Sequence, residues 1–238
     1  MFDITIDSLR FWKELVEARP ELQTLHFYRY KRNGFLQDRL PVESYEYQLS
    51  RLADARSKQA QMPFWDALML EAVGRQGLTE TILNEASLHN PMHIERIPVH
   101  REAILKDGLE DFIQAANEKE STGILSEVVL RDGRLLHYPM LDMRAAADEP
   151  GFRATVAIAK YILPSGAVIM RSGKSFHIIG TQLVDKDELV HFLVRSLFFG
   201  PIVDRKYVAH HLLRGFCTLR VSANSSKQYP TVAAHINS

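Results

Sequence analysis

The sequence predicts an α+β protein, with a mainly helical N-terminal lobe over residues 1–120 and a lobe built on an antiparallel sheet over residues 121–238. Three observations lead there. Apolar residues recur at the three- and four-residue spacing of amphipathic helices through most of the first half. After the polar stretch from Glu118 to Gly123 the period shortens to strand-like runs. Two turn signals, Arg131-Asp132-Gly133 and Ser172-Gly173-Lys174, each lie between short apolar runs, which is the pattern of antiparallel hairpins.

Taken in order, Asp7 or Ser8 caps a first helix carrying Leu9, Phe11, Trp12, Leu15 and Val16, which ends near Pro20. A short strand is predicted from Leu25 to Tyr30, followed by a turn at Arg32-Asn33-Gly34. Pro41 opens a second helix through Tyr45, Leu49 and Leu52; a third runs from Pro63 to Val73 and a fourth from Leu78 to Ala86. A longer helix is predicted from Val99 to about Asn117, with Ile104, Leu105, Leu109, Phe112 and Ile113 on its apolar face. Beyond the boundary, Ile124–Leu130 and Leu135–Met143 form a hairpin. Phe152–Leu163 is helical and stops at Pro164-Ser165-Gly166, and strands follow at Ala167–Arg171 and Ser175–Gly180. Asp185–Phe199 and Asp204–Arg214 are helices, and Cys217–Ser222 and Val232–Ile236 are strands. This order resembles the RNA-recognition-motif topology, with helices on one face of a sheet and the other face open to hold a site. The two lobes are expected to share one core.

With 238 residues, 46% of them hydrophobic and 24% charged, the chain can bury a core, which excludes collagen, coiled coil and disorder throughout. Lys plus Arg equals Asp plus Glu at 29 each, so any surface for a polyanion must be local. The one cysteine, Cys217, permits neither an internal disulfide nor a cysteine-based zinc site, and it reads as core. No apolar run approaches the ~20 residues of a membrane helix, and the acidic, amphipathic start is unlike a secretion signal. The expected location is the cytoplasm.

Polar residues that end or interrupt strands of an open sheet are the candidates for chemistry. Asp142 ends an apolar strand, His177 lies inside one, Asp204 opens a helix after Pro201-Ile202-Val203, and Arg220 lies in the strand Thr218–Ser222. Singly, each has an ordinary reading: a turn former, a satisfied histidine, a helix cap, a stem covering apolar surface. Together, converging on one face of one sheet, they supply oxygen ligands for a divalent metal and cationic donors for a triphosphate.

The order of these residues resembles the archaeo-eukaryotic primase superfamily, which includes primase-polymerases. The likeness rests on Leu141-Asp142-Met143-Arg144 as the first acidic motif, Arg171-Ser172-Gly173-Lys174-Ser175-Phe176-His177 as the glycine turn and Ser-x-His segment, Ile202-Val203-Asp204 as the third acidic position, and Leu219-Arg220-Val221-Ser222 with Tyr229-Pro230 beyond it. It covers about Gly123 to the C-terminus. It implies Mg²⁺ or Mn²⁺ on Asp142 and Asp204, a nucleotide triphosphate on His177, Arg220 and Ser175 with Lys174 or Arg171 near phosphate, nucleic acid as the other partner, and nucleotidyl transfer as the activity.

One departure matters. The family's first motif carries two carboxylates two residues apart, and here Arg144 takes the second place. A cation there opposes metal binding, so the transfer activity is expected to be weakened or lost. Asp148 and Glu149 lie past the strand end and would substitute only if the loop folded back. The rival readings are a non-catalytic nucleic-acid or protein-partner binding module on the same fold and a metal-dependent phosphodiesterase.

The run His26–Arg32 interleaves bases with aromatics, as single-stranded nucleic-acid binders do, but is also a core strand ending in a solvated turn, the preferred reading. Ser172-Gly173-Lys174-Ser175 lacks the upstream glycine of a P-loop and precedes a strand. Adjacent His210 and His211 point about 100° apart on a helix, which does not suit a zinc site.

Overall fold

The computed structural model describes residues 7–31, 36–88, 95–106, 108–114, 120–223 and 228–237. Helix α1 (Ser8–Ala18) starts where the Asp7 carboxylate accepts from the backbone N–H groups of Leu9 and Arg10, and it buries Phe11, Trp12 and Val16. Strand β1 (Leu22–Lys31) follows. It outruns the expected Leu25–Tyr30 because it finds a pairing partner on each side. The turn expected at Arg32-Asn33-Gly34 lies outside the described residues.

Helices α2 (Tyr45–Ala60), α3 (Phe64–Val73) and α4 (Glu80–Leu88) enclose a small core that includes Leu36, Leu49, Leu68 and Ile82. Helix α2 begins after Pro41 because the Ser44 hydroxyl caps it, accepting from the N–H of Tyr47.

The single helix expected from Val99 to Asn117 is instead strand β2 (Ile97–His100), helix α5 (Arg101–Leu105) and helix α6 (Gly108–Gln114). Val99 pairs with Leu25 of β1, so a distant partner takes residues whose local spacing suits a helix. At Gly108 a Cβ would meet the carbonyl oxygen of Ala103 at 2.7 Å, which favours glycine at the break. Ile104, Leu109 and Ile113 are nonetheless buried in the main core, with Leu105 and Phe112 packed against it. Residues 115–117 lie outside the description.

Strand β3 (Glu120–Leu130) pairs antiparallel with β1 from Leu22↔Leu130 to Lys31↔Glu120. The expected boundary at 120/121 therefore falls inside a strand. The chain divides instead into one unit of Met1–Lys31 with Ile94–Ser238 and a second of Arg32–His93, so the separate helical part is narrower than expected.

Leu135–Met143, read as one strand, splits into β4 (Leu135–His137) and β5 (Met140–Asp142). Pro139, which has no N–H for a ladder, lies at the split, and the chain changes sheets there. Then come α7 (Glu149–Ile162), β6 (Ala167–Arg171), β7 (Phe176–Gly180), α8 (Lys186–Ser196) with a 3₁₀ turn at Leu197–Phe199, α9 (Arg205–Arg214), β8 (Thr218–Arg220) and β9 (Thr231–Ile236). Helix α8 opens with a capping box in which the Asp185 and Glu188 side chains each accept from the other's backbone N–H.

The strands form two antiparallel sheets, β2-β1-β3-β4 with β8 also on β3, and β5-β7-β6-β9. The α+β class stands, with two sheets where one was expected. One core holds both, drawing Trp12 from α1, Phe27 from β1, Phe176 from β7, Leu189 from α8 and Leu219 from β8.

Candidate functional site

The backbone segments that carry three of the four predicted residues adjoin where β5 ends. Asp142 stands directly opposite His177 in the β5–β7 ladder, with Oδ1 of the carboxylate 3.7 Å from Nε2 of the imidazole. The His177 side chain is buried and that of Asp142 is 38% exposed, so the pair has one face toward solvent. On the other edge of β5 the segment Ile202–Asp204 runs alongside: the Asp204 N–H donates to the Asp142 carbonyl at 3.0 Å, and Arg144 N–H donates to the Ile202 carbonyl at 2.6 Å. Asp204, Asp142 and His177 thus come from three adjacent backbone segments.

Asp204 is also a helix cap. Its Oδ1 accepts from the N–H groups of Lys206 at 2.9 Å and Tyr207 at 3.1 Å, the ordinary reading of an aspartate at a helix start. Both bonds fall on one oxygen, which leaves Oδ2 on the far side of the carboxylate.

The glycine turn is a scaffold for this strand end. Ser172 N–H donates to the Ser175 carbonyl at 2.9 Å, and Gly173 has φ +106°, a conformation that glycine adopts without strain. Ser175 donates its hydroxyl to the Met143 carbonyl and accepts from Phe176 N–H at 2.7 Å, tying the turn to the residue after Asp142. Arg171 donates to the Ala147 carbonyl at 2.6 Å and lies 5.5 Å over the Phe176 ring. Lys174 is exposed; its carbonyl accepts from Ala147 N–H at 3.0 Å, so the loop after Arg144 crosses this turn.

Arg220 departs from expectation. Its strand belongs to the other sheet, where Arg220 pairs with Gly123 of β3, because Leu219 must share the core face of its partner Ile124 and this turns Arg220 the other way. The side chain is buried. Its guanidinium donates to the carbonyls of Ser222, Gln228 (2.9 Å) and Ser172 (3.0 Å). Arg220 therefore reaches the glycine turn from the neighbouring sheet and anchors it, acting on the site through that turn.

Arg144 is exposed. The loop does not bring another carboxylate to its place: Asp148 caps α7 by accepting from Gly151 N–H at 2.8 Å, and Glu149 faces Arg153 at 3.4 Å on the exposed side of that helix. Among the described residues, no group of three or more His, Cys, Asp or Glu side chains is arranged to hold a metal ion.

Two tyrosines beside Asp142 escape a reading of the sequence. Burial, reinforced by Tyr30 and by the negative charge of Asp142, pushes the Tyr28 hydroxyl above the ordinary phenol range. Burial does the same to Tyr207, with Cys217 and Asp142 adding to it. Tyr207 donates to the Met140 carbonyl at 3.3 Å and packs edge-on against His211 at 4.1 Å. The imidazole of His211 lies 2.8 Å from the Phe216 carbonyl through Nδ1 and 3.4 Å from the Thr218 hydroxyl through Nε2. Burial, helped by Arg214, lowers its pKa to about 3, so the ring is neutral. Cys217 is fully buried, as expected, and burial pushes its thiol up to about 12. Tyr207 sits three residues after the cap Asp204, a spacing that signals it; Tyr28 comes from β1 and has no local signal.

The aromatic run at the end of β1 is mostly structural. Phe27 is core, Tyr28 stacks on Tyr30 at 5.2 Å, and Arg29 lies 4.7 Å over the Phe112 ring while donating to its carbonyl at 2.8 Å. Arg32 lies outside the described residues.

Among the described residues no helix is long and apolar enough to cross a membrane. Neither the curated proteins nor the solved structures compared with the chain contain a match. A family model described as AEP-like, archaeo-eukaryotic primase 1D-like, matches residues 101–233, more than half of the chain and a span that holds Asp142, His177, Asp204 and Arg220 together. The order of the motifs, the α+β architecture and this match agree, and the chain belongs to the AEP-like family of archaeo-eukaryotic primase domains.

Proposed function

We propose that the protein binds a nucleotide triphosphate and nucleic acid at the Asp142–His177–Asp204 site, with nucleotidyl transfer weakened or lost. The observation that carries the proposal is the Asp142–His177 pair at the end of β5, with the backbone of Asp204 bonded beside it, while exposed Arg144 follows two residues later, where the family pattern has a second carboxylate.

The donor set fits one divalent ion better than two. Mg²⁺ is commonly held by one or two carboxylates and completes its shell with water and substrate phosphates. Asp142 and the second oxygen of Asp204 suit that role for Mg²⁺ or Mn²⁺. A bound ion would offset the charge of the triphosphate. A second ion lacks its carboxylate at Arg144. On the protein side, His177 and Lys174 supply donors to phosphate, Ser175 fixes the strand end, and Arg171 and Arg220 hold the surrounding turn. Binding without efficient transfer is also what a non-catalytic module on this fold would do, and Arg144 favours that variant of the reading.

Calorimetry with Mn²⁺ and a non-hydrolysable nucleotide triphosphate tests the site. Saturable binding that falls roughly tenfold or more in Asp142→Asn is expected, with weak or absent primer extension by the wild type. No saturable binding refutes the proposal. Vigorous primer synthesis refutes its second half. Metal-dependent cleavage of single-stranded nucleic acid without synthesis would favour a phosphodiesterase instead.

A further inference from the structure

A concavity that the proposed function does not use lies at the opposite end of the β5–β7 pair from Asp142. Pro139 lines it just before β5 begins, three residues before Asp142 and so about 10 Å away along an extended chain. The cavity measures about 360 Å³, within the range of small-molecule sites. Its apolar floor comes from Ile162 and Leu163 at the end of α7 and Phe192 of α8. Its rim carries His191 and Arg195, one turn apart on α8.

The charges on this rim are unequal in availability. Glu188, the acidic member of the lining, is turned toward the start of its helix, where Oε2 accepts from Asp185 N–H at 3.0 Å. Arg195 lies 5.7 Å over the exposed ring of Tyr161. Among the described residues, neither the Arg195 nor the His191 side chain makes a hydrogen bond or ion pair. A guanidinium that only a tyrosine ring engages and an imidazole stand beside an apolar lining, while the nearby carboxylate is bonded at the start of its helix.

We infer that this cavity binds a small organic anion with a flat apolar body, its carboxylate or phosphoryl group on Arg195 and His191 and its ring system on Ile162, Leu163 and Phe192. The shape selects the body and the guanidinium selects the charge. The site is separate from the one that contains Asp142 and does not depend on the function proposed for it.

Ligand-observed NMR and calorimetry on the full chain, with 2-naphthoate, 2-naphthyl phosphate and neutral 2-naphthalenemethanol as probes, test the inference. Saturable binding of at least one anion is expected, with the neutral probe roughly tenfold or more weaker. The tighter of the two anions identifies the head group. Arg195→Gln, an exposed substitution, should weaken anion binding by a similar factor, and Asp142→Asn should leave it unchanged. Absence of saturation by both anions, equal binding of the neutral probe, or binding undiminished by Arg195→Gln would each overturn the inference. Loss of binding in Asp142→Asn would also overturn it, by moving the probe to the other site.

Discussion

Replacing Arg144 by Asp should tighten Mn²⁺ binding by roughly five- to tenfold. Positions 142 and 144 alternate past buried Met143, so their side chains leave an extended chain on the same side, about 7 Å apart. Unit charges at ~7 Å interact by about 0.6 kcal/mol in water and four times that at an effective dielectric of ~20. Arg144 is exposed and the Asp142 side chain is 38% exposed, so the solvent-screened value applies. A divalent ion doubles it, and reversing the side-chain charge doubles it again, to about 2.4 kcal/mol. A Debye length of ~8 Å at physiological ionic strength removes more than half. About 1 kcal/mol remains, and Arg144→Gln should recover half of that. The assay is a titration followed by the paramagnetic signal of free Mn²⁺, at physiological salt and again at ~1 M salt, where the Debye length of ~3 Å should erase the difference. Identical affinities for wild type, Arg144→Gln and Arg144→Asp at physiological salt would refute the claim that this cation opposes the metal. A much larger gain that survives high salt would mean that the introduced carboxylate ligates directly.

Three further outcomes follow from the packing. Arg220→Ala removes donors from three carbonyls and should cost roughly 3 kcal/mol in urea unfolding, together with tenfold or more in triphosphate affinity; undiminished stability would refute the anchor. Gly123→Ala would bring a Cβ to 2.1 Å from the Tyr28 ring and should cost about 1–3 kcal/mol, less when combined with Tyr28→Ala, so additive costs in a double-mutant cycle would refute the close contact. Burial holds the His211 pKa down to about 3 in the fold, against an ordinary 6.5, so the unfolded chain takes up the proton first: its contribution is full above pH ~6.5 and is lost as pH falls toward 3, by up to ~1.4 kcal/mol per pH unit. His137, also lowered by burial, adds to that slope, and His211→Gln should flatten it; a slope unchanged by the substitution would show the imidazole protonated in the fold.

What the sequence made legible was local. Asp7, Asp185 and Asp204 cap helices because an aspartate before an amphipathic run satisfies N–H groups within three residues of itself. Gly133 and Gly173 take positive φ in the turns expected of them. The family was legible as an order of motifs, and its match covers residues 101–233. What stayed hidden depends on distant partners. Val99 opens the helix that the spacing predicts, yet it pairs with Leu25 and no local propensity encodes that choice. The sequence points to Arg220 as a phosphate donor on the same sheet; it donates to backbone carbonyls, which carry no residue identity, and its strand joins the other sheet through Gly123–Leu125 of β3. Tyr28 reaches the neighbourhood of Asp142 only because β1 pairs with β3.

The unit Arg32–His93 is inserted between β1 and β2, strands that pair directly through Phe27↔Ile97, and lies outside the family-matched span. Its consequence is kinetic. To form the β1–β3 ladder the chain must close a loop of about 90 residues from Lys31 to Glu120. If the inserted helices are already folded, the flexible length falls about threefold, which lowers the closure cost by about 1 kcal/mol and speeds closure roughly fivefold. Helices form within microseconds and long-range strand pairs far more slowly. Substitutions that unravel α2 or α3 should thus retard assembly of a sheet to which they contribute no strand.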